Sequence, residues 1–584
     1  MNKKLLLLFF IINGCAIAQT AQEPVPYPRA QEFESLSAPD SSGNRLTLKM
    51  PIENSERLLP TNLKLPYPII FIHGLNSKSD KWDPTTNWMY SQYGLSYGGR
   101  IDFCLNFDGN VTTANKNFYP TTGADIALFT DPANLVVGDY YYLNFDIALD
   151  GALYPNSSYP YMVYSNQQAI AKQGAALKYA IQYVLQKTGK EKVIIMGHSM
   201  GGLAAREYLQ NPSLWQPDGQ HHIAKLATTG TPHGGSNASL SILNTVVNIN
   251  NQSEAVRDLR ESYFYSGSPG VFLYGGVESN AVMDDMLSYY FENVDVNCNT
   301  LIGESIVGLN QKSISNNLDF SCIIGTANAL NGGDYVVDNE NANLNYYYSN
   351  ITNNIFNTST SHTNLPTQNY ENMQGLDEPN EFPIAYKIDY NIQYTGFTTI
   401  QPIGGYTYDY DDYKFVVTSN SNITVNITNI TNSNTIARIV NNSYNQIGGL
   451  AQSSGATSLA FTRTLPAGTY YLEIYSTPTT TSYLYPYKFI LNSTPSVGIE
   501  EVNLENQITV YPNPVKDKLT INTTFSNYNN SYYSLVNILG ESLISSKRLT
   551  SDPFIIDTSE LSSGIYFIQF VNDNKVAVKK FTKE

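Results

Sequence analysis

The chain has 584 residues, with 34 Lys and Arg against 50 Asp and Glu, for a formal net charge of −16. That length exceeds what one hydrophobic core serves and calls for roughly two to four domains. The acidic balance argues against nucleic acid and anionic membrane surfaces as partners. Only 14 % of residues are charged, and Asn, Tyr, Ser and Thr fill the polar positions, as in many extracellular bacterial proteins. We read the acidity as a source of solubility.

Residues 1–18 have the pattern of a secretory signal peptide: Lys3 and Lys4, then apolar Leu5 to Ile12, then Ala16-Ile17-Ala18 as a small-x-small cleavage site. The alternative is a lipoprotein signal acylated at Cys15, which Asn13 fits poorly. No other segment approaches transmembrane length. Residues 19–65 are Pro-rich and polar and read as a linker, with one strand expected near Arg45 to Met50. Ile69 to Ile72 reads as a buried strand running into His73-Gly74-Leu75. Residues 76–164 form a long polar and aromatic stretch with turn signals at Gly98-Gly99, Asp108-Gly109 and Asp131-Pro132. Within it, Gly138 to Asp146 carries a core strand whose tyrosines we assign to packing. A helix is expected from Asn166 to Lys187, because Ile170, Leu177, Ile181 and Val184 fall on one stripe and Gly189 ends it.

Lys192 to Gly202, KVIIMGHSMGG, is the most informative stretch. Val193 to Met196 is an unbroken apolar strand that turns at Gly197-His198-Ser199-Met200-Gly201. Gly-x-Ser-x-Gly after such a strand reads as a nucleophile elbow, a tight turn that exposes the serine hydroxyl and demands small residues two before and two after it. Ile223 to Thr229 is the next strand and ends in Gly230-Thr231-Pro232-His233-Gly234-Gly235-Ser236. Residues 237–317 offer few strands and two helices, near 239–248 and 282–291; a block of this length between core strands is expected to be an inserted cap. Phe320 to Gly325 is a further strand, followed by Gly333-Asp334-Tyr335-Val336-Val337 and, later, by His362. From about Ile384 to Leu491 the chain alternates Val, Ile, Tyr and Phe with Thr, Asn and Ser, an antiparallel sandwich pattern. Residues 493–506 link to a second small all-β unit, 507–584.

With Cys15 removed, Cys104, Cys298 and Cys322 remain, an odd count that allows one bridge; Cys298–Cys322 is the expected pair. No Cys-x-x-Cys or His-rich cluster suggests zinc. Asp409, Asp411 and Asp412 read as a solvated loop. No metal and no cofactor is expected.

A serine nucleophile needs a base, an acid to orient that base, and two donors for the oxyanion. The acid and then the base follow the serine in chain order in elbow-type enzymes. Of His73, His198, His221, His222, His233 and His362, only His362 comes after any suitable acid loop. Asp334, Asp338 and Glu340 all compete as the acid.

Gly197-His198-Ser199-Met200-Gly201-Gly202, with His73-Gly74-Leu75 before it and Gly230 to Ser236 after it, resembles the bacterial lipase and esterase branch of the α/β-hydrolases. The match covers roughly residues 66–380. The resemblance implies a doubly wound α/β sheet with a cap insertion, and hydrolysis of carboxylic esters through an acyl-enzyme. It makes Ser199 the nucleophile, His362 the base, and the backbone N–H groups of Leu75 and Met200 the oxyanion donors. It selects Asp334 as the acid, because Gly-Asp-Tyr-Val-Val is similar to the Asp-Gly-Val-Val around the acid in many lipases. The departures are Tyr335, where the family often has Gly, and the long stretches 76–164 and 237–317. Some related lipases hold structural calcium; no residues here identify such a site. Another acyl transfer on the same fold (a peptidase or acyltransferase) and a non-catalytic adhesion protein remain the alternatives.

Asp412-Tyr413-Lys414-Phe415 and Leu465 to Tyr471 give residues 384–492 a resemblance to the bacterial pre-peptidase carboxy-terminal sandwich. Val510-Tyr511-Pro512-Asn513-Pro514-Val515, Ile538-Leu539-Gly540, Leu561 to Phe567 and Val578 to Phe581 resemble the type IX secretion sorting domain over 507–584. That resemblance implies a Gram-negative cell, the type IX machinery as a partner, and a secreted or surface-attached product; the lipase and esterase resemblance implies a lipid or other acyl ester as the substrate of the catalytic part.

Overall fold

The computed structural model describes residues 63–105, 126–148, 165–236, 253–259, 309–328, 332–399, 408–430, 433–478, 484–496, 507–523, 531–551, 553–572 and 575–584, with two short strand pairs besides. The signal at 1–18, the helices expected at 239–248 and 282–291, and Cys298 lie outside the described residues. The chain divides into two compact units, Met1–Pro495 and Ser496–Glu584.

In the first unit, β1 (Ser37–Pro39) pairs with β2 (Arg45–Thr47), the strand expected near Arg45. An eight-stranded sheet follows from β3 (Ile69–Ile72), β4 (Tyr97–Cys104), β5 (Ala127–Leu128), β6 (Tyr140–Asn144), β7 (Val193–His198) and β8 (Ile223–Thr229). A separate strand pair, β9 (Val277–Glu278) with β10 (Val294–Asp295), precedes its last members, β11 (Asp319–Gly325) and β12 (Asn353–Thr358). The order is β12-β11-β8-β7-β3-β6-β4-β5, parallel throughout except at the β4–β5 edge. The central strands β3, β7 and β8 are buried at every position, as expected of parallel strands covered on both faces.

Alternate residues of these strands feed two cores. Ile70, Ile72, Ile195 and Leu226 pack with α2 (Ile170–Thr188) and α3 (Met200–Leu209). Phe71, Ile194 and Met196 pack on the other face with Met89 of α1 (Asp83–Tyr93) and Met373 of α5 (Asn369–Gly375), where α4 is the short helix Glu254–Leu259. Helix α2 starts at Ile170, later than the expected Asn166; the Asp258 carboxylate accepts from the Ile170 N–H at 2.8 Å and supplies the missing cap. The expected stripe of α2 is buried, and so are Lys172 and Gln173 beyond it.

Residues 76–164 hold more order than their composition announces. They contribute α1, β4 and β5. Helix α1 buries only Thr85, Thr86 and Met89, too little apolar surface to give a periodic signal.

The β-rich remainder of this unit pairs one sheet, ordered β13 (Tyr386–Lys387), β15 (Tyr410–Val417), β20 (Gly468–Pro478), β17 (Ser433–Asn441), β18 (Gln446–Gln452), with another, ordered β14 (Gln393–Thr399), β21 (Leu484–Pro495), β16 (Ser421–Thr428), β19 (Ser458–Leu465). In β16, Ser421, Ile423, Val425 and Ile427 point inward in strict alternation. The core of these sheets is continuous with the α1–α5 face of the α/β sheet. Tyr93 of α1 meets Phe397 of β14 with ring centroids 4.5 Å apart, and Lys190 Nζ lies 3.0 Å from Asp389 Oδ2.

Two expectations are overturned. Cys322 is a free thiol inside β11, with Thr228 Oγ1 3.4 Å from its sulfur, so the Cys298–Cys322 bridge is not made. A side chain in a central strand is enclosed by both neighbouring strands and a helical layer. Asp409, Asp411 and Asp412 are not a solvated loop: all three are buried, and the latter two belong to β15. The segment after α5 lies across them, with the Asp412 N–H donating to the Pro379 carbonyl at 3.1 Å.

The second unit has a three-stranded sheet (Ile508–Tyr511, Lys518–Thr523, Phe554–Asp557) and a four-stranded one (Ser542–Arg548, Ser531–Asn537, Gly564–Asn572, Lys575–Lys583). Ile521, Leu535, Ile568 and Phe581 are in its own core.

Candidate active site

Strand β7 ends at His198, and α3 begins at Met200, so Ser199 has no room for an ordinary turn. Its φ of 52° lies in the left-handed region, a strained position for a non-glycine residue. The crowding is visible at the flanking glycines: a Cβ on Gly201 would stand 2.6 Å from the His73 carbonyl oxygen, and one on Gly197 would stand 2.5 Å from the Gly202 nitrogen. Only hydrogen fits at either position.

The turn presents Ser199 Oγ 2.8 Å from His362 Nε2. His362 Nδ1 lies 2.7 Å from Asp334 Oδ2. An ionised carboxylate only accepts, so Nδ1 carries the proton and Nε2 is free to accept from the serine hydroxyl. All three side chains are buried. Asp334 is itself fixed: its Oδ1 accepts from the N–H groups of Val336 (3.0 Å) and Val337 (2.8 Å). Tyr335 bridges that loop at φ +79°, the conformation glycine adopts most easily, and it stands where the lipase pattern often has Gly. Of the rival acids, Asp338 and Glu340 are exposed. Of the rival bases, His221 contacts Asn317 and His222 contacts Asp218, while His233 is enclosed by Arg206, Thr228 and Cys322.

Leu75 and Met200 stand on the two backbone segments that meet at the serine. Met200 opens α3, so its N–H is one of the unpaired donors at a helix amino terminus, where the dipole favours negative charge. Leu75 follows Gly74, whose added Cβ would lie 2.7 Å from Ser199 Cβ. The Leu75 turn is held from both sides. His73 Nδ1 donates to the Gly74 carbonyl at 2.9 Å, and its Nε2 accepts from the Phe145 N–H at 2.9 Å. Burial lowers the His73 pKa to about 4, which keeps the ring neutral in this tautomer. Asn166 Nδ2 donates to the Ser77 carbonyl at 2.9 Å and to Asp146 Oδ1 at 3.0 Å.

Three further residues shape the site and were not singled out for it in the sequence. His198 Nε2 lies 3.0 Å from the His362 carbonyl oxygen, so its N–H anchors the backbone of the residue facing Ser199. Burial holds the His198 pKa well below its ordinary value, so the ring is neutral. Gly230, at φ +57°, clears space for the pair: a Cβ there would be 3.0 Å from Asp334 Oδ2 and 3.2 Å from His362 Nδ1. Gly325 does the same, with an added Cβ only 2.7 Å from Asp334 Cβ. The only sequence signal was a glycine at the end of each apolar strand, Thr229-Gly230 and Ile324-Gly325; what they make room for is visible only in three dimensions.

Residues 161–300 match the family described as PGAP1-like alpha/beta domain, and residues 509–584 match the secretion system C-terminal sorting domain. The second match marks a secreted or cell-surface-attached protein of a Gram-negative bacterium that uses the type IX machinery. Among solved structures, a gene product of Listeria innocua is similar at 14 % identity, over 53 % of this chain and 91 % of its own, with a TM-score of 0.30. A lipase-esterase related protein from Clostridium acetobutylicum is similar at 10 % identity, over 55 % and 96 %, with a TM-score of 0.25. The pre-peptidase C-terminal domain of a Bacillus anthracis collagenase is similar at 22 % identity, over 20 % and 99 %, with a TM-score of 0.16. No curated protein matches the chain.

Proposed function

We propose that this hydrolase is a serine esterase or lipase that cleaves carboxylic esters through an acyl-enzyme. The observation that carries the reading is the continuous hydrogen-bonded path from Ser199 Oγ through the His362 imidazole to the Asp334 carboxylate. Ser199 Oγ attacks the ester carbonyl while His362 Nε2 takes its proton. The tetrahedral oxyanion is received by the Leu75 and Met200 N–H groups. His362 then returns the proton to the departing alcohol. Water, deprotonated by His362, attacks the acyl-enzyme and releases the acid. Asp334 keeps the imidazole in the reactive tautomer and stabilises its protonated form. The corresponding architecture is a doubly wound α/β-hydrolase sheet at 66–380 with a cap at 237–317, then small sandwiches at 384–492 and 507–584, the second delivering the enzyme outside the cell. An apolar cap, expected from the sequence of residues 237–317, would favour lipid esters over small soluble ones.

The test is a fluorophosphonate probe on the purified chain beside Ser199→Ala. Wild type should label and the variant should not; labelling that persists in the variant, or its absence from wild type, overturns the assignment. A series of p-nitrophenyl esters then ranks acyl length. Turnover of amides alone would replace the esterase reading with a peptidase.

A further inference from the structure

We infer that Asp146, acting through Asn166, is a positioning residue for the turn that presents the Leu75 N–H to the oxyanion. The inference rests on the ester-hydrolysis reading above and adds two residues to it. Asp146 lies just beyond β6 and Asn166 just before α2, and the two meet beside the turn that follows β3. Both are buried.

The groups that hold this turn come from two places, the end of β6 and the segment before α2. The turn passes through the left-handed region at Asn76, where φ is +46°. Asn76 is caught twice: its N–H donates to the Asn166 carbonyl at 3.4 Å, and its Oδ1 accepts from Gln167 Nε2 at 3.2 Å. The Asn166 amide spends both N–H bonds on orientation, one on the Ser77 carbonyl at 2.9 Å and one on Asp146 Oδ1 at 3.0 Å. Its Oδ1 is buried and has no hydrogen-bond partner. The amide is therefore held from its nitrogen end alone. Asp146 supplies half of that hold, because an ionised carboxylate accepts and never donates. Without it one buried N–H is left bare, and the amide can tilt away from Ser77.

Asp146 is itself anchored in the sheet. Its N–H donates to Asn144 Oδ1 at 3.4 Å, and the same oxygen accepts from the Ser79 N–H at 3.2 Å. Asn144 Nδ2 in turn donates to Asp102 Oδ1 at 2.8 Å, and Asp102 is paired with Arg100. The charged groups facing Asp146 are Lys78 and Asp80 from the turn side and Arg100 and Asp102 from β4. Burial outweighs them and raises the Asp146 pKa to about 6. Above that pH it is a charged acceptor, which holds an amide N–H more strongly than a neutral one does. An oxyanion donor contributes only if it stands within hydrogen-bond reach of the developing charge. Loosening the turn should therefore weaken the transition state and leave substrate binding alone.

The test uses the purified full chain and a p-nitrophenyl ester. Asp146→Ala should lower kcat by about 10-fold or more and leave KM within about twofold. Asn166→Asp, which sets a carboxylate oxygen against two acceptors, should do the same. Asp146→Asn keeps a neutral acceptor and should recover most of the loss. The ratio of wild-type to Asp146→Asn kcat should exceed one above pH 6 and fall to one below it, as the native carboxyl becomes neutral. A merely structural contact would lower the melting temperature without this split or this pH dependence. Wild-type kcat in folded Asp146→Ala or Asn166→Asp, or a loss confined to KM, overturns the proposal. Should both variants fail to fold, the Asp146→Asn ratio decides, and a ratio flat across pH 6 overturns it. A second arm is independent of turnover. In chains that all carry Ser199→Ala, Asn166→Asp or Asp146→Asn should speed amide exchange over residues 73–79 and leave 193–198 unchanged. Unaltered exchange over 73–79 overturns the positioning role. A wild type that turns over no ester overturns the ester reading alone, and exchange then decides for the turn.

Discussion

In the proposed reaction every proton passes through His362, so its removal should be the most costly. His362→Ala should lower kcat/KM on any ester that is turned over by about 10³-fold or more, read from initial rates. Tyr335 offers a subtler test. A β-branched side chain is far less tolerant of its φ of +79° than Asn or Gly. Tyr335→Val should be less stable than Tyr335→Asn by about 1–2 kcal/mol in denaturant melts. His73 sets a pH dependence. Its pKa falls from 6.5 to about 4 on burial, so the unfolded chain takes up the proton first as pH drops. The stability that rests on the neutral ring is complete above pH 6.5 and is lost progressively as pH falls to about 4, a change of roughly 3 kcal/mol. His73→Gln, whose amide oxygen still accepts from Phe145, should flatten the fall in melting temperature across that window; an unchanged slope removes His73 from the account.

Among the elements, strand ends do the positioning. Ser199 follows β7, Gly230 follows β8, Asp334 follows β11 and His362 follows β12, so four parallel strands deliver their loops to one edge of the sheet. Parallel strands make this convergence automatic, since every carboxyl end points the same way. The tolerances are small. Gly230→Ala forces a Cβ to within 2.5 Å of Leu365 Cδ1 and against the His362–Asp334 pair. It should slow fluorophosphonate labelling by roughly 100-fold, as expected for a misplacement of about 1 Å. Helix α1 and strand β4 escaped the sequence reading for a local reason. Gly98-Gly99 in β4 looks like a turn, yet Gly98 is there because the Tyr141 ring fills its side-chain space, 2.3 Å from where a Cβ would stand.

For the whole molecule, the decisive feature is a core that does not stop at residue 380. Met373, Leu376, Tyr386, Tyr394 and Phe415 belong to one apolar cluster with Phe71 and Trp82. Lys387 Nζ adds a pair with Glu191 Oε2 at 2.7 Å. A chain ending at residue 383 would expose that face. It should melt below the chain ending at 495 and bind an apolar dye; equal melting temperatures would show the two parts to be energetically separate.

The sequence by itself determined the local devices: the elbow at Ser199, the apolar strands β3, β7, β8 and β11, the alternation of β16, and the sorting tail at 509–584. Each is written in consecutive residues, because period, turn geometry and burial of a central strand depend on neighbours in the chain. Tertiary structure decided what depends on distant partners. It chose between Asp334 and the exposed Asp338 and Glu340 as the neighbour of His362. It left Cys322 free, and it turned an apparently solvated run at Asp409, Asp411 and Asp412 into buried carboxylates under the segment after α5. Charge in a sequence reads as exposure; only the fold shows which charges have been covered.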